Sequence, residues 1–358
     1  MQKLRIAIIG TGTFAELCHI PGLQSHAAAE VVAVYGRRRE AARALADKFG
    51  IRRATDDFQA ICTDPDIDAV TIASANVAHA AQAIEALKHG KHVFCEKPLA
   101  MTAAEAREMA DAAKASGKVH QVAFTFRYNH GLRELRRRIA AGDIGIPFFA
   151  RIQYDRWDGL AAGCVAGWRE RKETAGAGML FDLGSHLFDI THHVLGPIDS
   201  VIGYTHIVPR EVKDKVTGKM VMVETDDMVN AWIRHASGLR GQFFISRVSP
   251  PFAQIGYLEI VGEKGALKAA LSRGGVDFLK ASSPDAPDWR DLPLPPEASD
   301  NQPHALGLMM RSFVDACLRG EPDGDIDATF EDGLAAQLAM SALLESEKTD
   351  RWTHLDAV

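Results

Sequence analysis

Three observations predict an α/β fold in two domains. Strand-like and helix-like segments alternate through the first third, and a glycine-rich loop joins the first such pair. After about Tyr128, strand-like segments follow one another without helices between them. The alternating part implies a parallel sheet covered on both faces, and the later part an α+β domain with an open, mainly antiparallel sheet. The expected division is 1–127 and 128–358, and 358 residues suit two domains better than one core.

Leu4–Ile9 is a short β-branched apolar run ending at Gly10, as a buried parallel strand does. Phe14 to about Leu23 reads as helix, Glu30–Tyr35 as the second strand, and the Ala-, Arg- and Leu-rich Arg38–Phe49 as the second helix. Asp68–Ala73 is a strand and Ala78–His89 a helix, with Gly90 at its C-cap. His92–Cys95, Thr102–Ser116 and Val119–Phe124 complete the series as strand, helix and strand. A basic helix, Leu132–Ala140, then leads through Gly142 and Gly145 to a strand at Phe148–Tyr154. Strands are expected at Val201–Val208, Met228–His235, Leu239–Arg247 and Tyr257–Val261. The Pro-rich Ser283–Pro296 reads as a loop, and Ala305–Leu318 and Phe330–Leu344 as helices.

Composition narrows the function classes. Hydrophobic residues at 47% and charged residues at 25% argue against disorder. Lys+Arg 41 against Asp+Glu 47 leaves −6, without the positive excess that nucleic-acid backbones demand. No apolar run approaches the roughly 20 residues of a bilayer span, and Leu4–Ile9 is too short for a secretory signal. Cys18, Cys62, Cys95, Cys164 and Cys317 are scattered without a C-x-x-C pair and read as reduced thiols. A soluble cytoplasmic protein, with neither nucleic-acid nor membrane partner, is the expectation.

Gly10-Thr11-Gly12-Thr13-Phe14-Ala15 matches G-x-G-x-x-G/A between a strand and a helix, the context of a Rossmann dinucleotide-binding domain. Gly10 permits the tight turn, Gly12 lets a pyrophosphate approach the backbone, and Ala15 keeps the helix close to the sheet. A glycine turn with no ligand is the bland alternative. At the end of the second strand an NAD site usually carries Asp or Glu, whereas here Gly36 is followed by Arg37, Arg38 and Arg39. Guanidiniums there suit a 2′-phosphate, so NADP(H) is favoured and NAD(H) is the alternative. The competing reading makes these arginines only a solvated first turn of the next helix.

Glu96-Lys97-Pro98 follows a strand, at the carboxyl edge where open α/β sheets bind ligands. Lys97 there can reach a substrate hydroxyl, and a cis Lys97–Pro98 bond is expected. Alone, the pair would read as a surface lysine before a turn proline. Asp182 and His186 lie four apart, on one helix face after the small residues Gly176, Ala177 and Gly178. A histidine exchanges a proton with an alcohol near neutral pH, and a neighbouring carboxylate orients it. A satisfied buried pair is the alternative. Asp189 and His193 continue the stripe, but no third ligand or metal-binding signature accompanies them, and no metal is assigned.

Together these segments resemble the glucose-fructose oxidoreductase/inositol dehydrogenase/MocA family. The resemblance rests on Gly10–Ala15, Asp68–Ala73 with Ser74-Ala75-Asn76 and His79, Gly90–Val93 leading to Glu96-Lys97-Pro98-Leu99, Gly142–Gly145, Trp168-Arg169 and Gly176–Asp189. It covers nearly the whole chain in order, and is greatest to the NADP-using sugar reductases of that family. Ala75 stands where the family often has proline, and Ala177 where it often has glycine. The resemblance implies that Lys97 and His186 are catalytic with Asp182 assisting, and that Ser74, Asn76, Trp168 and Arg169 line the cofactor site; His79, Glu96 and Lys97 are also expected to contact the cofactor. It also implies a homo-oligomer formed through the C-terminal sheet. The expected activity is hydride transfer between nicotinamide C4 and a carbinol carbon of a sugar, inositol or related polyol. His186 and Lys97 would serve in proton transfer and oxyanion stabilisation. A dinucleotide-sensing regulator, and an NAD-dependent glycoside hydrolase or lyase, are the alternatives.

Overall fold

The expected alternation is present in a computed structural model, which describes residues 3–161, 163–250, 256–272, 277–294 and 305–358. β1 (Leu4–Ile9) leads through a π turn (Ala15–His19) into α1 (Ile20–Gln24), followed by β2 (Ala29–Tyr35) and α2 (Arg39–Lys48). Next come β3 (Arg53–Thr55), α3 (Gln59–Cys62), β4 (Ala69–Ile72), α4 (His79–Lys88), β5 (His92–Cys95), α5 (Ala103–Ser116) and β6 (His120–Val122). The six strands are all parallel, in the order β3-β2-β1-β4-β5-β6. That order reverses between β1 and β4, which opens a ligand crevice at their carboxyl ends. Ile6, Ile8, Val70, Ile72 and Phe94 are fully buried, as strands covered on both faces require. Thr102 caps α5 in a reciprocal capping box with Glu105, and Gly90 ends the α4 turn at φ +73°. Nothing in the short, polar β3 announced a strand; its pairing with β2 supplies the order.

The second unit opens at Phe126. It contains α6 (His130–Ala140), β7 (Pro147–Asp155), β8 (Val165–Ala166), α7 (Lys172–Ala175), a second π turn (Leu180–Gly184) and α8 (Ser185–Leu195). Strands β9 (Ile198–His206), β10 (Glu211–Asp214), β11 (Met220–Met222), β12 (Met228–His235), β13 (Arg240–Ser246), β14 (Gly256–Gly262), β15 (Gly265–Ala270), β16 (Leu279–Ser283) and β17 (Ala286–Asp291) follow. The chain then runs through α9 (Ala305–Arg319), which belongs to the first unit, and α10 (Phe330–Thr349) to β18 (Thr353–His354). Nine strands form one sheet in the order β17-β16-β15-β14-β7-β13-β12-β9-β18, antiparallel except between β7 and β13. Alternation along β7, β12, β13 and β14 buries Ile152, Ile233, Phe243 and Ile260 on one face. There Phe188 of α8 stacks on Phe243 with centroids 4.5 Å apart, which seats α8 on the sheet. A small sheet, β11-β10-β8, stands beside it.

Two expectations need correction. The stretch read as a loop, Ser283–Pro296, contains β17, paired to β16 with Lys280 bonded across to Asp291 at 3.3 Å; positions 295 and 296 lie outside the described residues. Prolines misled because β17 is an edge strand, where a missing N–H costs little. The second difference concerns α9, which belongs to the first unit together with the chain to Leu334. Its Phe313 ring meets Phe94 of β5 at 5.5 Å, and Gly22 makes room for Met310, whose Cβ lies 2.7 Å from where a Gly22 Cβ would stand.

Candidate active site

The glycine loop lies at the carboxyl end of β1. Gly10 has φ +119°, and a Cβ there would stand 2.4 Å from the Ala73 carbonyl oxygen at the end of β4, so only glycine fits. Gly12 is exposed and differs: a Cβ would meet only that oxygen, at 3.9 Å. Its backbone therefore borders open space, flanked by Thr11, the exposed Thr13 and the half-buried Phe14, while Ala15 is fully buried. An open glycine backbone leading into a helix fits a dinucleotide pyrophosphate. Gly36, at the end of β2, has its Cβ position occupied by Thr11 Cγ2, 2.7 Å away. Arg37, Arg38 and Arg39 beyond it are exposed.

Beyond β4 and β5, buried polar groups brace the loops. Ser74 Oγ donates to Gln82 Oε1 at 2.7 Å, and Asn76 is buried beside it. His79 is fully buried, with Nδ1 2.9 Å from Pro98 O and Nε2 3.3 Å from Ser74 O. Burial pushes its imidazole below the usual range, against the two carbonyl contacts that favour the charged form. The His79 side chain thus holds the loop, with no face open to a ligand. The Lys97–Pro98 bond is cis. Lys97 is largely buried, and its backbone N–H donates to Glu96 Oε2 at 3.3 Å. Glu96 Oε1 lies 2.9 Å from His19 Nε2. Burial opposes charge on Glu96, but the His19 bond and the nearby Lys97 outweigh it and hold the carboxyl below its usual range.

In the second unit, Asp182 lies in the π turn and His186 in the first turn of α8. Between Ala177 and Thr191 only Asp182 keeps its side chain partly open. His186 is buried against the Phe126 ring, centroids 5.2 Å apart. Asp182 sits between two guanidiniums: Arg156 Nη1 at 3.6 Å from Oδ2 and Arg169 Nε at 3.8 Å from Oδ1. The Arg169 guanidinium also covers the Trp168 ring at 4.4 Å, so Trp168, Arg169 and Asp182 form one cluster. Asp189 makes a buried pair with Arg127, Nη2 to Oδ1 at 2.6 Å and Nε to Oδ2 at 3.0 Å. Among the described residues no three His, Cys, Asp or Glu side chains are grouped to hold a metal, and no helix is long and apolar enough to cross a membrane.

Three residues that matter here escaped sequence reasoning. Asp226 accepts the Gly178 N–H at 2.6 Å and the Leu180 N–H at 2.8 Å, fastening the start of the Asp182 helix. Gly178 is small for this reason, since a Cβ there would stand 2.0 Å from Asp226 O. Arg156, just past β7, faces Asp182, and His19 meets Glu96. Only the acid pair Asp226-Asp227 directly before β12 offered a signal.

Comparison with known proteins places this geometry among relatives. The model of the oxidoreductase family with an NAD-binding Rossmann fold matches residues 4–124, and that of the GFO/IDH/MocA C-terminal domain matches 132–268. An inositol 2-dehydrogenase of Salmonella agona is 37% identical, over 97% of this chain and 95% of its own length. A 1,5-anhydro-D-fructose reductase of Ensifer adhaerens is 32% identical over 74% of each chain. A solved levoglucosan dehydrogenase, in complex with NADH and L-sorbose, superposes with TM-score 0.89 at 26% identity, covering 99% of each chain.

Proposed function

The chain belongs to the Gfo/Idh/MocA oxidoreductase family and is an NAD(P)-dependent oxidoreductase of CH–OH groups; on that premise we propose that it interconverts a carbinol and a ketone on a sugar, inositol or related polyol. NADP(H) is the proposed dinucleotide, and Lys97, Asp182 and His186 the catalytic groups. The observation that carries the reading is the position of Lys97 directly after β5, at the same sheet edge as the Gly10–Ala15 loop. The names of the relatives, an inositol dehydrogenase and two enzymes of anhydro sugars, support a carbohydrate substrate.

Gly10, Thr11, Gly12, Thr13 and Phe14 would hold the pyrophosphate, with Ser74, Asn76, Trp168 and Arg169 lining the rest. Gly36, Arg37 and Arg38 would receive a 2′-phosphate. A nicotinamide held by these residues would supply the hydride chemistry at the carbinol carbon. His186 takes the proton from the substrate hydroxyl in oxidation and returns it to the carbonyl oxygen in reduction. Lys97 Nζ donates a hydrogen bond to that oxygen and stabilises its developing negative charge. Asp182, held between Arg156 and Arg169, orients His186 or an adjacent substrate hydroxyl. Glu96 and His79 serve from behind, through the backbone around Lys97. The outer face of the nine-stranded sheet is the proposed contact between copies of the chain.

Lys97→Ala is the direct test. Turnover at saturating dinucleotide should fall by about 10²–10³-fold, while dinucleotide affinity, read by nicotinamide fluorescence, stays near the wild-type value. Normal turnover at saturation with weakened dinucleotide binding would overturn the assignment.

A further inference from the structure

We propose that His19 and Glu96 form a positioning pair that sets Lys97 for the reaction, linking the helix after the glycine loop to the loop after β5. This deepens the catalytic assignment of Lys97 and rests on it.

His19 closes the π turn that follows the glycine loop, and its side chain is fully buried. Glu96 directly follows β5 and is also buried. A carboxylate this far from water must be met by a donor, and the His19 Nε2 contact at 2.9 Å supplies it. The imidazole must therefore carry its proton on Nε2. His19 Nδ1 has no hydrogen-bond partner among the described residues, so this ring is not there for a wider polar network. Packing alone does not account for it either. The ring stands edge-on to Phe94, centroids 5.4 Å apart at 88°, in a slot that leucine would fill without burying a polar atom. What the histidine supplies beyond leucine is the one bond to Glu96.

That bond reaches Lys97 through the second carboxylate oxygen. Glu96 Oε2 accepts the Lys97 backbone N–H at 3.3 Å, and on the far side His79 Nδ1 donates to Pro98 O at 2.9 Å. The backbone that carries the lysine is thus pinned before and after its Cα. A reacting group displaced by about 1 Å loses on the order of 10²-fold in rate, which is the scale at which a loop tether acts on turnover.

The substitutions separate the tether from mere packing. His19→Gln places an amide nitrogen near the Nε2 position and keeps a donor, whereas His19→Leu fills the space and keeps none. In His19→Leu, kcat for the polyol should fall about 10²-fold, with KM, the fluorescence-measured dinucleotide Kd and a cooperative thermal melt retained. His19→Gln should recover most of the rate. Should the leucine variant not fold, Glu96→Gln decides: one side-chain terminus then presents NH2 where two donors, His19 Nε2 and Lys97 N–H, must both be accepted, and kcat should fall in the same way. Lys97→Ala runs alongside. Wild-type kcat in His19→Leu (or in Glu96→Gln) beside an inactive Lys97→Ala overturns the pair and leaves Lys97 catalytic. Equal losses in His19→Leu and His19→Gln, or a loss of dinucleotide affinity in place of kcat, also overturn it. Full activity in Lys97→Ala removes the pair and the assignment beneath it.

Discussion

A side chain at Gly36 would require Thr11 to shift, because Thr11 Cγ2 lies 2.7 Å from its Cβ position. Arg37 next to it is exposed, and the proposed 2′-phosphate contact would be made from there. A charge-assisted hydrogen bond is worth about 1.5–3 kcal/mol, so Arg37→Asp should weaken NADPH binding by roughly 10- to 100-fold and NADH binding far less. Fluorescence titration of the two dinucleotides measures this, and equal losses contradict the 2′-phosphate role. At this scale the sequence offered as candidates the residues whose chemistry is carried by a short motif: Gly10, Gly12, Lys97, Asp182 and His186. It did not disclose residues defined by a distant partner. His19 and Glu96 are 77 positions apart, and Asp226 and Gly178 are 48 apart. A single buried histidine on a helix reads the same whether it holds a loop or only fills a core.

Among the elements, the parallel strands other than β3, and the longer strands β7, β9 and β12–β14, were legible from periodicity, and β12 falls on the expected Met228–His235. The two π turns were not, since a turn one residue wider leaves the apolar pattern nearly intact. Both lie beside the proposed chemistry, at Ala15–His19 and Leu180–Gly184. The second is fastened by Asp226 onto a backbone that tolerates no side chain at Gly178. Gly178→Ala should therefore lower stability by about 1–3 kcal/mol, measured as a reduced urea midpoint; an unchanged midpoint contradicts the close packing. Next to it, Asp227 is buried with Arg210 and Arg247 bonded to it. Burial pulls its carboxyl up, but the two arginines outweigh burial and hold it below the usual range. Its contribution to stability is thus full above the ordinary aspartate range and is lost as pH falls through the lowered folded value. Asp227→Asn should flatten the acid side of the stability profile, followed by urea midpoints at successive pH values. An acid limb as steep as the wild type's would contradict that.

For the whole molecule, both sheet types were foreseen, because alternation of strand with helix and alternation along a strand are local patterns. The return of α9 to the first unit was not, since nothing local ties Phe313 to Phe94. The outer face of the nine-stranded sheet exposes Tyr204 and Trp232, with Phe149 against Trp232 at 6.3 Å between centroids. Bulky aromatics on an open sheet favour association. Trp232→Glu should convert an oligomer to monomers in light scattering, and a wild-type monomer would contradict the proposed interface. In the proposed reaction, hydride leaves a polyol carbon with Lys97 in place. Pooled sugars and inositols, deuterated at carbon, would be mixed with NADP⁺ or NAD⁺ and the reduced dinucleotide examined by mass. Deuterium should appear on the dinucleotide with the wild-type protein and be nearly absent with Lys97→Ala, although both bind the dinucleotide. No transfer from any pool by a wild type that binds dinucleotide tightly, or equal transfer by the variant, would contradict the account.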